Sequence, residues 1–290
     1  MLACAHPAPT PAVSYSAAFV KDTQLIVFPF EGESISLSLP FKVGRFMYSP
    51  DGKALYSDST FAREEGPVIL ETFIKPAGIR RVLGSTGFSP VYSLAASSGG
   101  NEIVISGKYH TGDLADCGIF DLNVTTGHVK PVIIQDNPDC DYVPAWHDVS
   151  VSPNGKRAVA REGRNNEIML IDLDSGAYRA IGEGFLARWS PDGRSIAILD
   201  SLRSELLLVD ANDSSKRRDL AKYEGPTLEW SPDSRYLLIW ESEAVCSPYV
   251  GYFGTFEALD VQSGQRIPIK SSRCKVNLMT GGWVSNQVIK

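Results

Sequence analysis

A four-residue turn sequence recurs along the chain and constrains its fold more than any other feature. It reads Ser-Pro-Asp-Gly or a close variant, and its copies begin at Ser49, Ser152, Ser190 and Ser231. Proline sets φ for the second position of a type I turn, and the Asp or Asn that follows suits the next position. A turn that returns at intervals of roughly 40 to 55 residues indicates a repeat architecture.

Each turn is flanked by segments with the composition of strands. Residues 187–189 and 194–198, for example, lie on either side of the turn that begins at Ser190. A third apolar segment in each unit ends in an aspartate that we interpret as structural, and a second turn leads to a fourth segment. Four antiparallel strands per unit are typical of a propeller blade. The aspartates placed in this class are Asp121, Asp172, Asp210 and Asp260.

Two degenerate copies of the turn, at 97–100 and directly after Trp283, bring the count to six. The last unit then contains only its first two strands, the second within 287–289, so we expect the segments 23–30 and 33–39 to complete it. The predicted fold class is therefore all-β. It is a six-bladed β-propeller of four-stranded antiparallel blades, closed by N-terminal strands that pair with the C-terminal blade.

The Trp-Ser-Pro-Asp-Gly form of the turn, together with the aspartate at the end of the third strand, resembles the TolB-type, WD-like propeller repeat of bacterial exported proteins. The resemblance extends from about residue 20 to residue 290. It implies a periplasmic protein that interacts with other proteins. Propellers include binding modules and enzymes alike, so the function has to be sought in residues outside the repeat.

Charge and hydropathy exclude two classes of interaction. The net charge of −6 provides no basic footprint for nucleic acid. No stretch of about 18 apolar residues occurs, so we expect no membrane-spanning helix. We expect a monomer whose partner is a protein or a peptide.

The N-terminal residues form a proline-rich segment of small side chains. We expect residues 1–15 to be a flexible tether and 16–290 to be a single propeller domain. Cys4 follows Met-Leu-Ala as at the end of a bacterial lipoprotein signal, which makes it a candidate for lipidation. The charged and long apolar parts of a signal peptide do not precede it, so the alternative is an ordinary cysteine.

The other four cysteines form two pairs with the same topology. In a propeller blade, the loop between the second and third strands opens on the same face as the connection to the next blade. Cys117 and Cys140 occupy these two places in one unit, and Cys246 and Cys274 occupy them in another. We therefore predict the disulfides Cys117–Cys140 and Cys246–Cys274, which suit an oxidising compartment. The alternative is four buried free thiols.

No catalytic motif is present, since the chain lacks the G-x-S-x-G, H-E-x-x-H and C-x-x-C sequences. We therefore favour a protein that is not an enzyme and needs no cofactor. One group of loop carboxylates has the oxygen chemistry that Ca²⁺ requires: Asp136, Asp139 and Asp141. Their spacing lacks the Gly of an EF-hand loop, and a solvated acidic loop is the alternative.

Aromatic residues in a second long loop suit the recognition of a partner. Tyr249, Tyr252 and Phe253 stand among small residues and offer contact area at low entropy cost. His110 and Trp146 are further candidates for partner binding, because they belong to loops expected on the same face. The alternative is that the aromatic loop folds back over its own blade.

Two hypotheses of function follow. The first is a non-enzymatic exported scaffold, periplasmic or attached to the outer membrane or cell surface, that binds a protein or peptide through disulfide-braced loops on one face. The alternative is a propeller that binds or processes a ligand or glycan in a polar pocket at the mouth of its channel, with Ca²⁺ as a candidate ion. The candidate pocket residues are Arg45, His147, Arg188 and Glu229.

Peptide mapping under non-reducing conditions tests the disulfide prediction. We expect two cross-linked peptide pairs, Cys117 with Cys140 and Cys246 with Cys274, which separate when the sample is reduced. Recovery of all four cysteines as free thiols from the unreduced protein would refute the prediction.

Overall fold

The computed structural model describes most of the chain from residue 15 to residue 285. The described residues are 15–21, 24–28, 34–38, 46–48, 54–59, 68–73, 78–83, 87–97, 100, 102–111, 114–135, 146–163, 165–200, 203–223, 225, 227–247, 251–276 and 281–285. Only the backbone is described for the strands within 46–83, for 241–247, 251–254, 270–276 and 281–282, and for 19–21, 28, 37, 89–90 and 284–285.

The described residues form six four-stranded antiparallel sheets. Five of them, which we call blades 1 to 5, are each built from one continuous stretch of chain. Blade 1 contains β4 (Phe46–Tyr48), β5 (Ala54–Ser59), β6 (Val68–Phe73) and β7 (Gly78–Leu83), and blade 2 contains β8 (Phe88–Ala96), β9 (Glu102–Thr111), β10 (Leu114–Asn123) and β11 (Val129–Ile134). Blade 3 contains β12 (Trp146–Val151), β13 (Arg157–Glu162), β14 (Glu167–Asp172) and β15 (Tyr178–Glu183).

Blade 4 contains β16 (Leu186–Trp189), β17 (Ser195–Asp200), β18 (Glu205–Asp210) and β19 (Arg217–Lys222). Blade 5 contains β20 (Leu228–Trp230), β21 (Tyr236–Ser247), β22 (Gly251–Asp260) and β23 (Arg266–Val276). The remaining sheet, which we call the composite sheet, joins β24 (Gly281–Ser285) to β1 (Tyr15–Lys21), β2 (Gln24–Phe28) and β3 (Ile35–Ser38).

The composite sheet corrects the predicted fold class. Five blades, not six, are of the continuous kind, and the predicted closure by two C-terminal and two N-terminal strands is wrong. A single C-terminal strand, β24, pairs with β1, with Tyr15 opposite Ser285 and Phe19 opposite Gly281, and β2 and β3 complete the sheet. The expected strand within 287–289 lies outside the described residues.

Strand β1 was not predicted from the sequence, because its composition is not typical of a strand. Ser16, Ala17 and Ala18 are small and are weak strand formers. All three are nonetheless buried, so in this strand tertiary packing overrides intrinsic propensity.

The inner strands, meaning β24 and the first strand of each blade, lie side by side. They contact one another in the order β4, β8, β12, β16, β20 and β24, and β24 also contacts β4. This is the arrangement of a propeller, with blades radiating from a central axis. The apolar core lies between adjacent sheets, where for example Val159 and Leu170 of blade 3 pack with Trp189 and Ile198 of blade 4.

Side-chain hydrogen bonds close the repeated turn in the same way in every copy whose side chains are described. In the copy that begins at Ser190, the Ser190 hydroxyl donates to Asp192 Oδ1 at 2.6 Å and accepts from Ser195 N at 2.9 Å. The same bonds recur in the copies that begin at Ser152 and Ser231. The turn residues are therefore structural, as the repeat predicts.

The aspartate at the end of the third strand is also structural, with one correction. Asp172, Asp210 and Asp260 each accept backbone N–H groups from the turn that follows. In blade 2, however, Asn123 takes this role and accepts from the N–H groups of the two threonines that follow it by two and three positions. Asp121 lies two residues too early in the sequence, so its assignment to this class was wrong.

Two faces of the propeller differ in character. The repeated turns lie on one face, the turn face. The loops between second and third strands and the connections between blades lie on the other, the loop face. Two hairpins extend furthest at the loop face: β9 and β10 have 10 residues each, and β21 and β22 have 12 and 10. The corresponding strands of blades 3 and 4 have 6 residues each.

Replacing Ser231 by alanine tests the role of the turn serine. The substitution removes the hydroxyl that accepts the buried N–H of Tyr236, and an unsatisfied buried donor costs about 1–3 kcal/mol. We expect the free energy of unfolding in urea to fall by this amount. Ser263→Ala, in an exposed turn, is the matched control and should change it by less than about 0.5 kcal/mol. Equal losses in both variants would contradict the assigned role.

Candidate functional site

Equivalent residues on three inner strands bridge neighbouring blades. Ser150, Arg188 and Glu229 each stand two positions before the turn serine. The Ser150 hydroxyl accepts from Trp189 N at 2.9 Å, and Arg188 Nε donates to Glu229 Oε1 at 2.7 Å. The sequence-predicted pocket residues Arg188 and Glu229 are therefore brought together as an ion pair.

Burial and charge act in opposite directions on the Arg188 guanidinium. Its side chain is 21% exposed and that of Glu229 is 35% exposed. Burial lowers the pKa of Arg188, but the carboxylates of Glu229 and Asp148 outweigh burial and raise this pKa above its ordinary value. Arg188 also donates to the backbone oxygens of Ala187 and Asp148. The guanidinium thus remains charged and holds three inner strands together.

Asp148 departs from the regular strand geometry. It has a φ of 54°, and the pairing of β12 with β13 shifts register between His147 and Ser150. Aspartate tolerates this left-handed conformation better than most residues. The irregularity directs the Asp148 carboxylate towards Arg161, whose NH2 lies 3.5 Å from Asp148 Oδ2.

Arg161 carries a largely buried charge, with 14% of its side chain exposed. It stands nine residues after its turn serine, where blade 4 has Leu199 and blade 5 has Trp240. Its guanidinium donates to Asn166 Oδ1 at 3.2 Å and lies 4.8 Å from the centre of the Phe185 ring. Sequence reasoning missed Arg161, because the equivalent residues of blades 1 and 2 are Asp58 and Ser106 and the position has no common residue type.

Two buried donors have no hydrogen-bond partner among the described residues: Arg161 Nε, near the loop-face end of blade 3, and Trp189 Nε1, beside Ser190 at the turn-face end of blade 4. The equivalent indole of Trp230 donates to Arg188 O at 2.9 Å, and that of Trp283 donates to Glu229 O at 3.0 Å. Bulges and unsatisfied buried groups concentrate at functional sites. Arg161 Nε and the irregularity at Asp148 therefore make the loop-face end of blade 3 the candidate functional region.

The other sequence-predicted residues are dispersed. His147 lies on β12 beside this region, with its ring 6.5 Å from that of Tyr92. His110 is exposed at the loop-face end of β9, and Trp146 is buried in the core between blades 2 and 3. Arg45 lies outside the described residues.

The aromatic loop is described only in part. Tyr249 lies outside the described residues. Tyr252 and Phe253 lie on β22, within the hairpin that extends at the loop face, and only their backbone is described.

The predicted metal ligands Asp136, Asp139 and Asp141 lie outside the described residues. Within the residues that are described, no three His, Cys, Asp or Glu side chains are placed to hold a metal ion. In the same part of the chain, no helix combines the length and the apolar character needed to cross a membrane.

Cys117 is buried and disulfide-bonded. The side chains of the remaining cysteines are not among those described: Cys4, Cys140, Cys246 and Cys274. The pairings Cys117–Cys140 and Cys246–Cys274 and the lipidation of Cys4 thus stay predictions.

Solved structures with the same fold include TolB proteins. TolB from Acinetobacter baumannii has a TM-score of 0.64 and 15% identity, over 93% of this chain and 66% of that one. This chain thus spans just under two thirds of that protein. A putative TolB from Agrobacterium tumefaciens has a TM-score of 0.61 and 18% identity, over 90% and 91%. An oligogalacturonate lyase in complex with manganese has a TM-score of 0.55 and 14% identity, over 86% and 74%.

These likenesses establish the TolB-like propeller fold. No protein-family model and no curated protein matches the sequence. The fold is therefore shared with TolB proteins and with at least one enzyme, and the likeness alone does not separate a binding function from a catalytic one.

Replacing Glu229 by alanine tests the structural role of the inner-strand ion pair. The substitution leaves the partly buried Arg188 without its nearest countercharge, and we expect a loss of about 2–3 kcal/mol in the free energy of unfolding. The double variant Arg188→Met/Glu229→Ala should recover part of this loss, because it leaves no uncompensated charge.

Glu205→Ala is the matched control for this test. It breaks an ion pair whose lysine, Lys222, is 74% exposed, and such pairs contribute less than about 1 kcal/mol. Urea unfolding at neutral pH measures all three changes. A Glu229→Ala variant as stable as Glu205→Ala would contradict the assigned role.

Proposed function

We propose that this protein is a non-enzymatic, exported β-propeller that binds a protein or peptide partner through its loop face. The observation that carries the proposal is the placement of the two long hairpins, β9–β10 and β21–β22. Blades 2 and 5 are separated by two sheets on either side in the order of inner strands. The hairpins consequently stand opposite each other across the loop face, and their strands are the longest second and third strands that the structure describes.

The chemistry of the inner strands supports binding rather than catalysis. Arg188, Glu229 and Asp148 are the charged groups described on these strands near the axis, and each takes part in contacts between neighbouring strands. A general acid or base needs freedom to exchange protons with a substrate. Side chains committed to holding the inner strands together suit a rigid binding scaffold better.

Export is part of the proposal and is supported by Cys117. Disulfides persist mainly in oxidising compartments such as the periplasm and the cell surface, and Cys117 is disulfide-bonded. We propose Cys140 as its partner, with Cys246–Cys274 as a second bond. Each would brace one of the long loops of the loop face. Lipidation at Cys4 would tether such a protein to a membrane.

A second candidate function is the binding or processing of a small ligand or glycan at the loop-face end of blade 3. Arg161 Nε, which has no hydrogen-bond partner among the described residues, and the irregular backbone at Asp148 favour it. The fold likeness to an oligogalacturonate lyase is compatible with it. A calcium ion held by Asp136, Asp139 and Asp141 belongs to this candidate.

Affinity capture from the native envelope fraction tests the first function. The bait is the full chain, and the test variant carries alanine at Tyr249, Tyr252 and Phe253. We expect one or more proteins to copurify with the wild type and to fall at least about tenfold with the variant, because aromatic anchors dominate interface energy.

The matched control for capture is Tyr178→Ala, which removes an exposed aromatic ring from the outer strand of blade 3. It should leave capture unchanged. Equal capture by the wild type and the triple variant would contradict the proposal that the partner binds at the loop face. Loss of capture in the Tyr178 control would point to a different surface.

A further inference from the structure

The donors of the Arg161 guanidinium are unevenly satisfied. NH1 donates to Asn166 Oδ1 at 3.2 Å. NH2 lies 3.5 Å from Asp148 Oδ2, which is the outer limit of a hydrogen bond, and the buried Nε has no partner among the described residues. Nε and NH2 share one edge of the planar guanidinium, and on such an edge arginine can hold a carboxylate with two parallel hydrogen bonds. This edge, which we call the Arg161 fork, is therefore only partly filled.

Arg188 provides the comparison of an arginine whose contacts are short. Its Nε lies 2.7 Å from Glu229 Oε1, and its NH1 donates to two backbone oxygens. Arg161 forms one ion pair among the described residues, and at 3.5 Å this pair with Asp148 is much longer. Short charge-assisted hydrogen bonds are the strong ones. Arg161 therefore keeps a capacity to bind a carboxylate that Arg188 has already used.

Asp148 occupies the Arg161 fork without being locked there. Its side chain is 33% exposed, and in the described part of the chain its carboxylate makes no hydrogen bond besides the long one to Arg161. Arg188 holds Asp148 through the backbone oxygen and not through the carboxylate. The Asp148 side chain can therefore turn towards solvent while β12 stays linked to β16.

Phe185 places an apolar ring beside the Arg161 fork. It lies in the short connection between blades 3 and 4 on the loop face, and it is 43% exposed. Its N–H donates to Leu199 O, and the N–H of Gly184 donates to Asn166 O, so the connection is fixed at both residues. The Arg161 guanidinium lies over the ring, 4.8 Å from its centre. A ligand that binds at the fork can therefore place its body against this ring.

We propose that Arg161 binds the carboxylate of a small ligand built on a ring. The ligand carboxylate replaces Asp148 at the Arg161 fork and accepts hydrogen bonds from both Nε and NH2, and the apolar part of the ligand ring packs on Phe185. This inference rests on the second candidate function and names the chemistry of its ligand. In the unliganded protein, the Asp148 side chain stands in for the ligand carboxylate.

The Arg161 fork selects a carboxylate over other ligand chemistry. The exchange removes the carboxylate that is paired with a largely buried guanidinium, and an uncompensated buried charge is strongly destabilising. A neutral ligand would not replace the lost charge, and a cationic ligand would add like charge. A ligand carboxylate restores the charge and accepts the second hydrogen bond that Asp148 does not accept.

Ligand-observed NMR titration of the full chain tests the inference with two matched pairs of compounds. Benzoate and benzamide share an aromatic ring, and glucuronate and glucose share a sugar ring. Within each pair, only the first compound carries a carboxylate. We expect the acid to bind at least about tenfold more tightly than its neutral counterpart in one pair. The pair that shows this difference identifies the ligand ring as aromatic or as a sugar.

Asp148→Asn is the decisive variant, because it removes the charge that competes for the Arg161 fork. Asparagine tolerates the left-handed conformation of this position, so we expect the fold to be retained. The acid should bind at least about threefold more tightly to this variant than to the wild type. A purely structural role of Asp148 would not produce tighter binding.

Arg161→Lys and Phe185→Ala test the other two contacts. Lysine keeps the charge but lacks the two-donor edge, so we expect the acid to bind at least about fivefold more weakly. Phe185→Ala should weaken its binding by a similar factor, because apolar contact area is lost. Arg194→Lys changes an exposed arginine on the turn face and is the matched control, which should bind like the wild type. The melting temperature of each variant shows that it folds.

Three results would overturn the inference. They are equal binding of the acid and the neutral compound in both pairs, no binding of any of the four compounds, and unchanged or weaker binding of the acid by Asp148→Asn. Equal binding that is lost in Phe185→Ala would leave the second candidate function in place with a different ligand chemistry. Failure of the inference is thereby distinguishable from failure of that function.

Discussion

Contacts between neighbouring inner strands are the constraint on which the rest of this propeller depends. Each sheet is hydrogen-bonded internally, but separate sheets meet mainly through apolar side chains. Polar links between the inner strands are specific, and they include the bonds from Trp230 to Arg188 O and from Trp283 to Glu229 O and the pairing of Arg188 with Glu229. Buried polar groups with satisfied partners confer a unique arrangement that apolar packing alone does not specify. The position of every loop therefore follows from how these strands are joined.

Function in such a molecule is best sought where the repeat is broken. Residues that recur, such as the turn serine and the third-strand aspartate, are fully occupied by backbone hydrogen bonds. Arg161 lies outside the repeat, because its equivalents Asp58, Ser106, Leu199 and Trp240 share no residue type. It lies near the loop-face end of blade 3, on the same face as the long hairpins.

The sequence predicts some levels of this structure much better than others. The turn at Ser190 and its strands are local features set by proline, Asp192 and alternating apolar residues, so they could be predicted. Strand β1 could not, because its alanines and serine lack strand propensity and are ordered only by β2 and β24. The ion pair of Arg188 with Glu229 joins residues on different blades. Because both residues are charged, the sequence predicted that they line a ligand pocket and not that they link two blades. The orientation of the exposed Phe185 ring depends on its contact with Arg161, a residue distant in sequence. No local sequence pattern indicates this contact.

The composite sheet has a consequence for how the chain reaches its folded state. Ala17 pairs with Trp283, so this sheet joins residues separated by almost the whole described chain. Contacts of such long sequence separation carry a large loop-closure entropy and slow folding. Blades 1 to 5 contain only local pairings and can form while the chain is still being synthesised, whereas β1 must wait for β24. Until then β1, β2 and β3 have one unpaired edge, which is the stage at which the nascent protein is most exposed to aggregation.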